Sequence, residues 1–183
     1  MKIAFIVEEL NTHSLVYQFI DDLKNDQRFD ANYLIHQKVN IKQKFFLDYL
    51  TDVINYKKLK KFLEGKFKDK IVNFEKKKLI KNKPPYKTFF LNKDIGLFFK
   101  NIINVDLLTS NNVVYRYPSN DLKIIKDLNF DLIINFSGKF IRGEILKSSK
   151  LGVISFHNSD NRVNRGGPGG FWEVYYGYKK SGV

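Results

Sequence analysis

Ile3-Ala4-Phe5-Ile6-Val7 is apolar without interruption. A strand with one wet face alternates apolar and polar side chains. A strand apolar at every position has to be covered on both faces, as happens inside a parallel sheet. Residues 131–136, Asp-Leu-Ile-Ile-Asn-Phe, read as the clearest strand in the chain, and Gly152-Val153-Ile154 as another buried one. None of these runs is long enough to cross a bilayer.

After the first run, Leu15, Phe19, Ile20 and Leu23 recur at helical spacing, with Asp21, Asp22 and Lys24 off that face. Thr12 or Ser14 stands where a cap belongs. Ala31 to His36 reads as the next strand. This β-α-β opening predicts an α/β chain: Rossmann-like, with a mostly parallel sheet flanked by helices. The loop from Glu8 to His13 carries no Gly-x-Gly-x-x-Gly fingerprint, which argues against the usual dinucleotide site.

Charge divides the chain unevenly. Residues 37–100 hold 18 Lys and 6 acidic side chains, so this window carries nearly all of the net +13. Phe45, Phe46, Tyr49, Leu50 and Val53 make a helical stripe, which Tyr56, Leu59, Phe62 and Leu63 continue. Gly65 is expected to interrupt it, residues 70–81 to form a further helix, and Pro84-Pro85 to end that one. The expectation is one domain over 1–183, with a basic helical insertion at 37–103 lying over one edge of the sheet. Its Lys face is either simply solvated or a dock for an anionic partner: an acidic protein, a phosphate-bearing substrate or an anionic membrane surface. Lys outnumbers Arg 27 to 5, which suits general attraction to polyanions better than bidentate reading of bases.

Further along, residues 104–108 read as a short strand. Pro118-Ser119-Asn120 reads as a helix start, and residues 121–128 as a helix with Leu122, Ile125 and Leu128 inward. Ser137-Gly138 reads as a turn, residues 140–146 as a short helix, and residues 171–178 as a helix with Phe171, Val174 and Tyr175 on one face. Phe171 and Trp172 read as core. With no Cys and three His, no metal site is expected. The start of the chain is not of signal-peptide type, and a soluble cytoplasmic protein is the default.

The last strand delivers Ser155 and His157 at its carboxyl end. A polar loop, 158–164, follows and closes on Arg165-Gly166-Gly167-Pro168-Gly169-Gly170. Carboxyl ends of strands are where open α/β sheets place their ligands. The strings DLIINFSGKFIRGEIL and GVISFHNSDNRVNRGGPGGFWEVYYG resemble the formyltransferase family that uses 10-formyltetrahydrofolate, and the loop is closest to the sugar N-formyltransferases. The resemblance covers the segment from Asn104 onward, with a weaker match over the opening β-α-β unit. It implies a formyltransferase fold and transfer of a formyl group from 10-formyltetrahydrofolate to an amine, on an amino sugar or a nucleotide-linked sugar. It places His157 on the family's catalytic His. Ser155 stands where the family has Asn, so Asn158 or Asn161 is a candidate substitute beside it. Gly138, Lys139, Phe140 and Ile141 fall beside the folate pterin, and Asn161, Asn164, Arg165, Gly166 and Gly167 fall on the substrate side. The family's Asp, some tens of residues after the His, has no counterpart, so the expectation is a domain incomplete at its C-terminus. The alternative reading is a non-catalytic formyltransferase-like fragment that binds folate, a polyanion or a partner chain.

The chemistry fits these residue types. An attacking amine must lose a proton, and an imidazole titrates near neutral pH. The formyl oxygen gathers charge, and an amide or hydroxyl donor beside it is worth about 3–4 kcal/mol.

Overall fold

The computed structural model describes residues 1–38, 56–75, 78, 92–109, 114–156 and 171–179. Five strands build the central sheet: β1 (Lys2–Val7), β3 (Asp30–Lys38), β5 (Asn101–Asp106), β8 (Leu132–Asn135) and β10 (Val153–Ser155). Their spatial order is β10-β8-β1-β3-β5, and every neighbouring pair is parallel. The chain winds outward from β1 in one direction, then returns to the other side of β1. This is the Rossmann-like order of a doubly wound α/β sheet, with its switch point between β1 and β8.

The apolar runs of β1 and β8 are buried on both faces, as expected, but β10 is not: Val153 is half-buried and Ile154 is 50% exposed, because β10 stands at the edge of the sheet. Ala4, Ile6, Ile35 and Ile133 look to one side, toward Tyr115, Tyr117, Ile125, Phe130 and Ile145. Ile3, Phe5, Val7, Leu34 and Ile134 look to the other, toward Ile20, Ile95 and Phe99. Each of the larger of these side chains, fully buried, contributes roughly 1.5–3 kcal/mol, so a charge at Phe5 would unseat both the strand and its cover.

The second face is covered by helix α1 (Ser14–Asn25). Neither Thr12 nor Ser14 caps it. The cap is His13, whose Nδ1 accepts from the Leu15 N–H at 3.4 Å, while Thr12 Oγ1 is buried without a partner. The reason lies one step upstream. Residues Asn11–His13 form a short strand, β2, antiparallel to β4 (Asn92–Asp94), which shifts the cap position to the last strand residue. Ile20 is buried and Leu23 half-buried, but Leu15 and Phe19 stay largely exposed and border a cleft.

The basic window is the connection between β3 and β5. It shares Gln37 and Lys38 with β3 and residues 101–103 with β5, and it places Ile95 and Phe99 in the core. Parallel neighbours require a long crossover, and this window supplies it. Helix α2 (Tyr56–Glu75) runs through Gly65 without a break and takes up the first residues of the helix expected at 70–81. One Gly costs a helix about 1 kcal/mol relative to Ala, and a 20-residue helix absorbs that. Leu63, Phe67 and Phe74 are exposed on it. The stripe expected over Phe45 to Val53 and the Pro84-Pro85 stop lie outside the described residues.

The first face is covered by helix α3 (Ser119–Asp127) and by a small sheet of β6 (Leu108–Thr109), β7 (Val114–Arg116) and β9 (Phe140–Ile141). In α3, Ile125 is buried and Leu122 and Leu128 pack beside it, as the spacing predicts. The helix expected over 140–146 is absent. Phe140 and Ile141 instead pair with Val114 and Tyr115, and Gly143, at φ 92°, turns the chain into a single 3-10 turn at Glu144–Lys147. Tertiary pairing outweighs local helical spacing there, and a positive φ cannot continue a helix. The last described helix, α4 (Phe171–Tyr175), is shorter than expected and stops before Gly177 at φ 69°. Val174 and Tyr175 are exposed rather than inward. Glu173 is buried, with neither carboxylate oxygen hydrogen-bonded.

Candidate functional site

At the switch point the carboxyl ends of β1, β3, β8 and β10 meet. Each ends on a polar residue or passes directly to one. The apolar runs set the strands, and these terminal residues are what they deliver.

Glu8 follows β1. Its Oε1 accepts from the Gly138 N–H at 2.7 Å and its Oε2 lies 3.3 Å from Lys139 Nζ. The same residue's carbonyl accepts from His36 Nε2 at 3.1 Å, and His36 Nδ1 meets the Asn104 side-chain amide at 3.1 Å. Glu8 thereby joins the first half of the sheet to the turn after β8.

Asn135 ends β8 and is 3% exposed. Its Oδ1 accepts from the Ser137 N–H and its Nδ2 donates to Ser155 Oγ, both at 2.9 Å. The parallel register sets Asn135 directly beside Ser155. Ser155, exposed at the rim, thus has its oxygen occupied as an acceptor, and its own O–H proton is left to point elsewhere.

Alternation along β10 separates two environments. Val153 packs on the first core cluster, and Ser155 shares its side of the strand. Phe156 reaches the other side, where it meets Phe19 of α1 and Phe136. There a cleft of about 610 Å³ is bordered by the first turns of α1 (His13, Val16, Phe19), by the end of β8 through Gly138, and by Phe156.

The sequence-predicted site residues divide accordingly. Gly138 lines the cleft, but its N–H is already given to Glu8. The Ser137 N–H goes to Asn135, and the Lys139 N–H meets Ser137 Oγ at 3.4 Å. The backbone N–H groups of residues 137–139 are thus bonded within the protein. Glycine is not demanded by the turn either: a Cβ at Gly138 would lie 3.6 Å from Glu8 Oε1, an ordinary contact, and its φ is not positive. The Lys139 ammonium lies 5.3 Å from the Tyr115 ring centroid. Phe140 and Ile141 are carried away into the small sheet, with Ile141 on the first core cluster. Ser155 sits where the sequence placed it. His157, Asn158, Asn161, Asn164, Arg165, Gly166 and Gly167 lie outside the described residues.

Sequence reasoning passed over Asn135, Glu8, His36 and His13. Asn135 did leave a signal, as the single polar residue ending an otherwise apolar buried strand. Glu8 and His36 left none, because their partners are 130 and 68 residues away.

Among the described residues no cluster of His, Asp or Glu is arranged to hold a metal ion, and no helix is long and apolar enough to cross a membrane. No family model matches the chain, and neither a curated protein nor a solved structure does.

Proposed function

We propose that this chain is an N-formyltransferase-type domain that moves the formyl group of 10-formyltetrahydrofolate to the amine of an amino sugar or sugar nucleotide. The observation that carries the reading is the Asn135–Ser155 pair at the carboxyl ends of β8 and β10, two residues ahead of His157 in the sequence. The donor supplies an activated formyl carbon. Ser155, with its oxygen held by the Asn135 amide, turns its hydroxyl proton toward the formyl oxygen as charge gathers there. His157 takes the proton that the attacking amine sheds, and the departing folate nitrogen receives one in return. Arg165 with Asn161 and Asn164 holds the acceptor.

The test is release of tetrahydrofolate from 10-formyltetrahydrofolate in the presence of amino-sugar nucleotides. The expected result is acceptor-dependent release that His157→Ala abolishes and Ser155→Ala lowers about a hundredfold, the scale of one lost oxyanion donor. Release by His157→Ala at the wild-type rate removes the imidazole from the reaction. The closed N–H groups of residues 137–139 favour a second reading, a non-catalytic module that binds folate or an anionic partner. Ligand binding without any formyl transfer would select it.

A further inference from the structure

Phe5, Phe136 and Phe156 form one column of rings across three elements. Phe5 and Phe136 are 6.3 Å apart with planes at 19°, and Phe136 and Phe156 are 5.3 Å apart with planes at 10°. Phe19 closes one flank, edge-on to Phe136 at 5.6 Å and to Phe156 at 6.0 Å. The column climbs from the core to the surface: Phe5 is fully buried, Phe136 half-buried and Phe156 59% exposed. It ends in the cleft of about 610 Å³ at the switch point of the sheet.

A solitary exposed Phe is ordinary. An exposed Phe that terminates a near-parallel stack, inside a cleft at the place where doubly wound sheets take ligands, is, among the described residues, a stack lacking its outer rung. Face-on stacking and edge contacts from a flanking ring select a planar partner over an aliphatic one. The cleft volume accommodates a bicyclic or monocyclic ring with its substituent.

We infer that the open face of Phe156 is a seat for a flat heteroaromatic ring of a ligand, flanked by Phe19. This rests on the proposed function in one respect, since both substrates of that reaction carry such a ring: the pterin of the donor and the base of a nucleotide-linked acceptor.

The experiment titrates the full chain with free pterin and, separately, with uridine diphosphate, following the 15N-labelled amides, for wild type, Phe156→Leu and Phe156→Trp. Leu keeps the apolar volume and removes the flat face; Trp enlarges it. Saturable binding of one of the two probes is expected, with shifts at Phe136, Ser137 and Gly138. Phe156→Leu should weaken it about five- to tenfold, and Phe156→Trp should restore or tighten it, the scale of one stacked ring. Whichever probe saturates identifies the source of the ring. Equal affinity in wild type and Phe156→Leu overturns the inference, and so does failure of both probes to bind. Formyl transfer measured on the same preparations keeps the two ideas apart. Transfer without ring binding at Phe156 sinks this seat alone, and ring binding without transfer sinks the formyltransferase reading alone.

Discussion

Gln37 and Tyr117 form the most exacting polar contact in the core. Gln37 is 2% exposed and Tyr117 is 4% exposed, and the Gln37 Nε2 donates to the Tyr117 hydroxyl. Gln37 Oε1 has no partner. Burial pushes the Tyr117 hydroxyl well above its ordinary pKa, and the Gln37 bond opposes this only in part. Tyr117→Phe removes the one partner of a buried amide. Such an orphaned donor costs about 1–3 kcal/mol, whereas replacing both members with apolar groups of similar shape is close to neutral. The predicted single-variant loss is therefore about 1–2 kcal/mol. Gln37→Met should cost about 1 kcal/mol by stranding the hydroxyl. The double variant, Gln37→Met with Tyr117→Phe, should be at least as stable as wild type, because it also removes an oxygen that is already unsatisfied. Urea unfolding of the four proteins measures this as a double-mutant cycle, and a coupling of at least ~1 kcal/mol is expected for two side chains in contact. Midpoints must shift at constant slope for the comparison to hold. A double variant clearly less stable than wild type would show that the pair is a net stabiliser, and the reasoning would be wrong.

Two other predictions concern charge. The Lys150 ammonium, first, and the Lys2 N–H hold the Asp131 carboxyl below the usual carboxylate range. A depressed folded value means that this stabilisation is present above about pH 4 and fades as pH falls through the lower folded value. Thermal melts from pH 6 down to 2 should show wild type losing its advantage over Asp131→Asn on that acid limb only; a gap that persists at the lowest pH would refute the assignment. For Glu8, Gln keeps an acceptor for the Gly138 N–H and gives up only a partly exposed ion pair. Glu8→Gln should thus cost under about 0.5 kcal/mol and Glu8→Ala about 1–2 kcal/mol, and equal losses in urea midpoints would mean that the charge, not the backbone bond, holds the turn.

The sheet was legible where burial on both faces leaves an unbroken apolar run. Ile3 to Val7, Leu132 to Ile134 and the helix carrying Leu122 and Ile125 all fall as read. The reading failed where a distant partner decided the local structure. Phe140 and Ile141 carry a helical spacing, yet β7 captures them as a strand. Gly65 reads as a stop, yet α2 continues through it. The cap of α1 falls on His13 because β4, some 80 residues later, pairs with the segment before the helix. Val174 and Tyr175 have inward spacing on a helix too short to define a face.

The site was legible in position but not in partnership, and register explains the difference. Ser155 could be placed at a strand end from its own neighbourhood. That Asn135 would lie beside it depends on how β8 and β10 align, which neither strand's composition specifies. A slip of the edge strand β10 by one residue would set Ile154 or Phe156 beside Asn135 and turn those apolar side chains to the opposite face of the sheet. The observed register, Ile134 beside Ile154 and Asn135 beside Ser155, keeps every apolar residue on an apolar neighbour, so the core selects it. The same choice sends Ser155 to one side of the sheet and Phe156 to the other. The Ser155 hydroxyl and the Phe156 ring thus occupy adjacent positions in sequence on opposite sides of the strand. Under the proposed function, a substrate that meets both has to reach across the carboxyl edge of β10, and strand alternation is what sets that requirement.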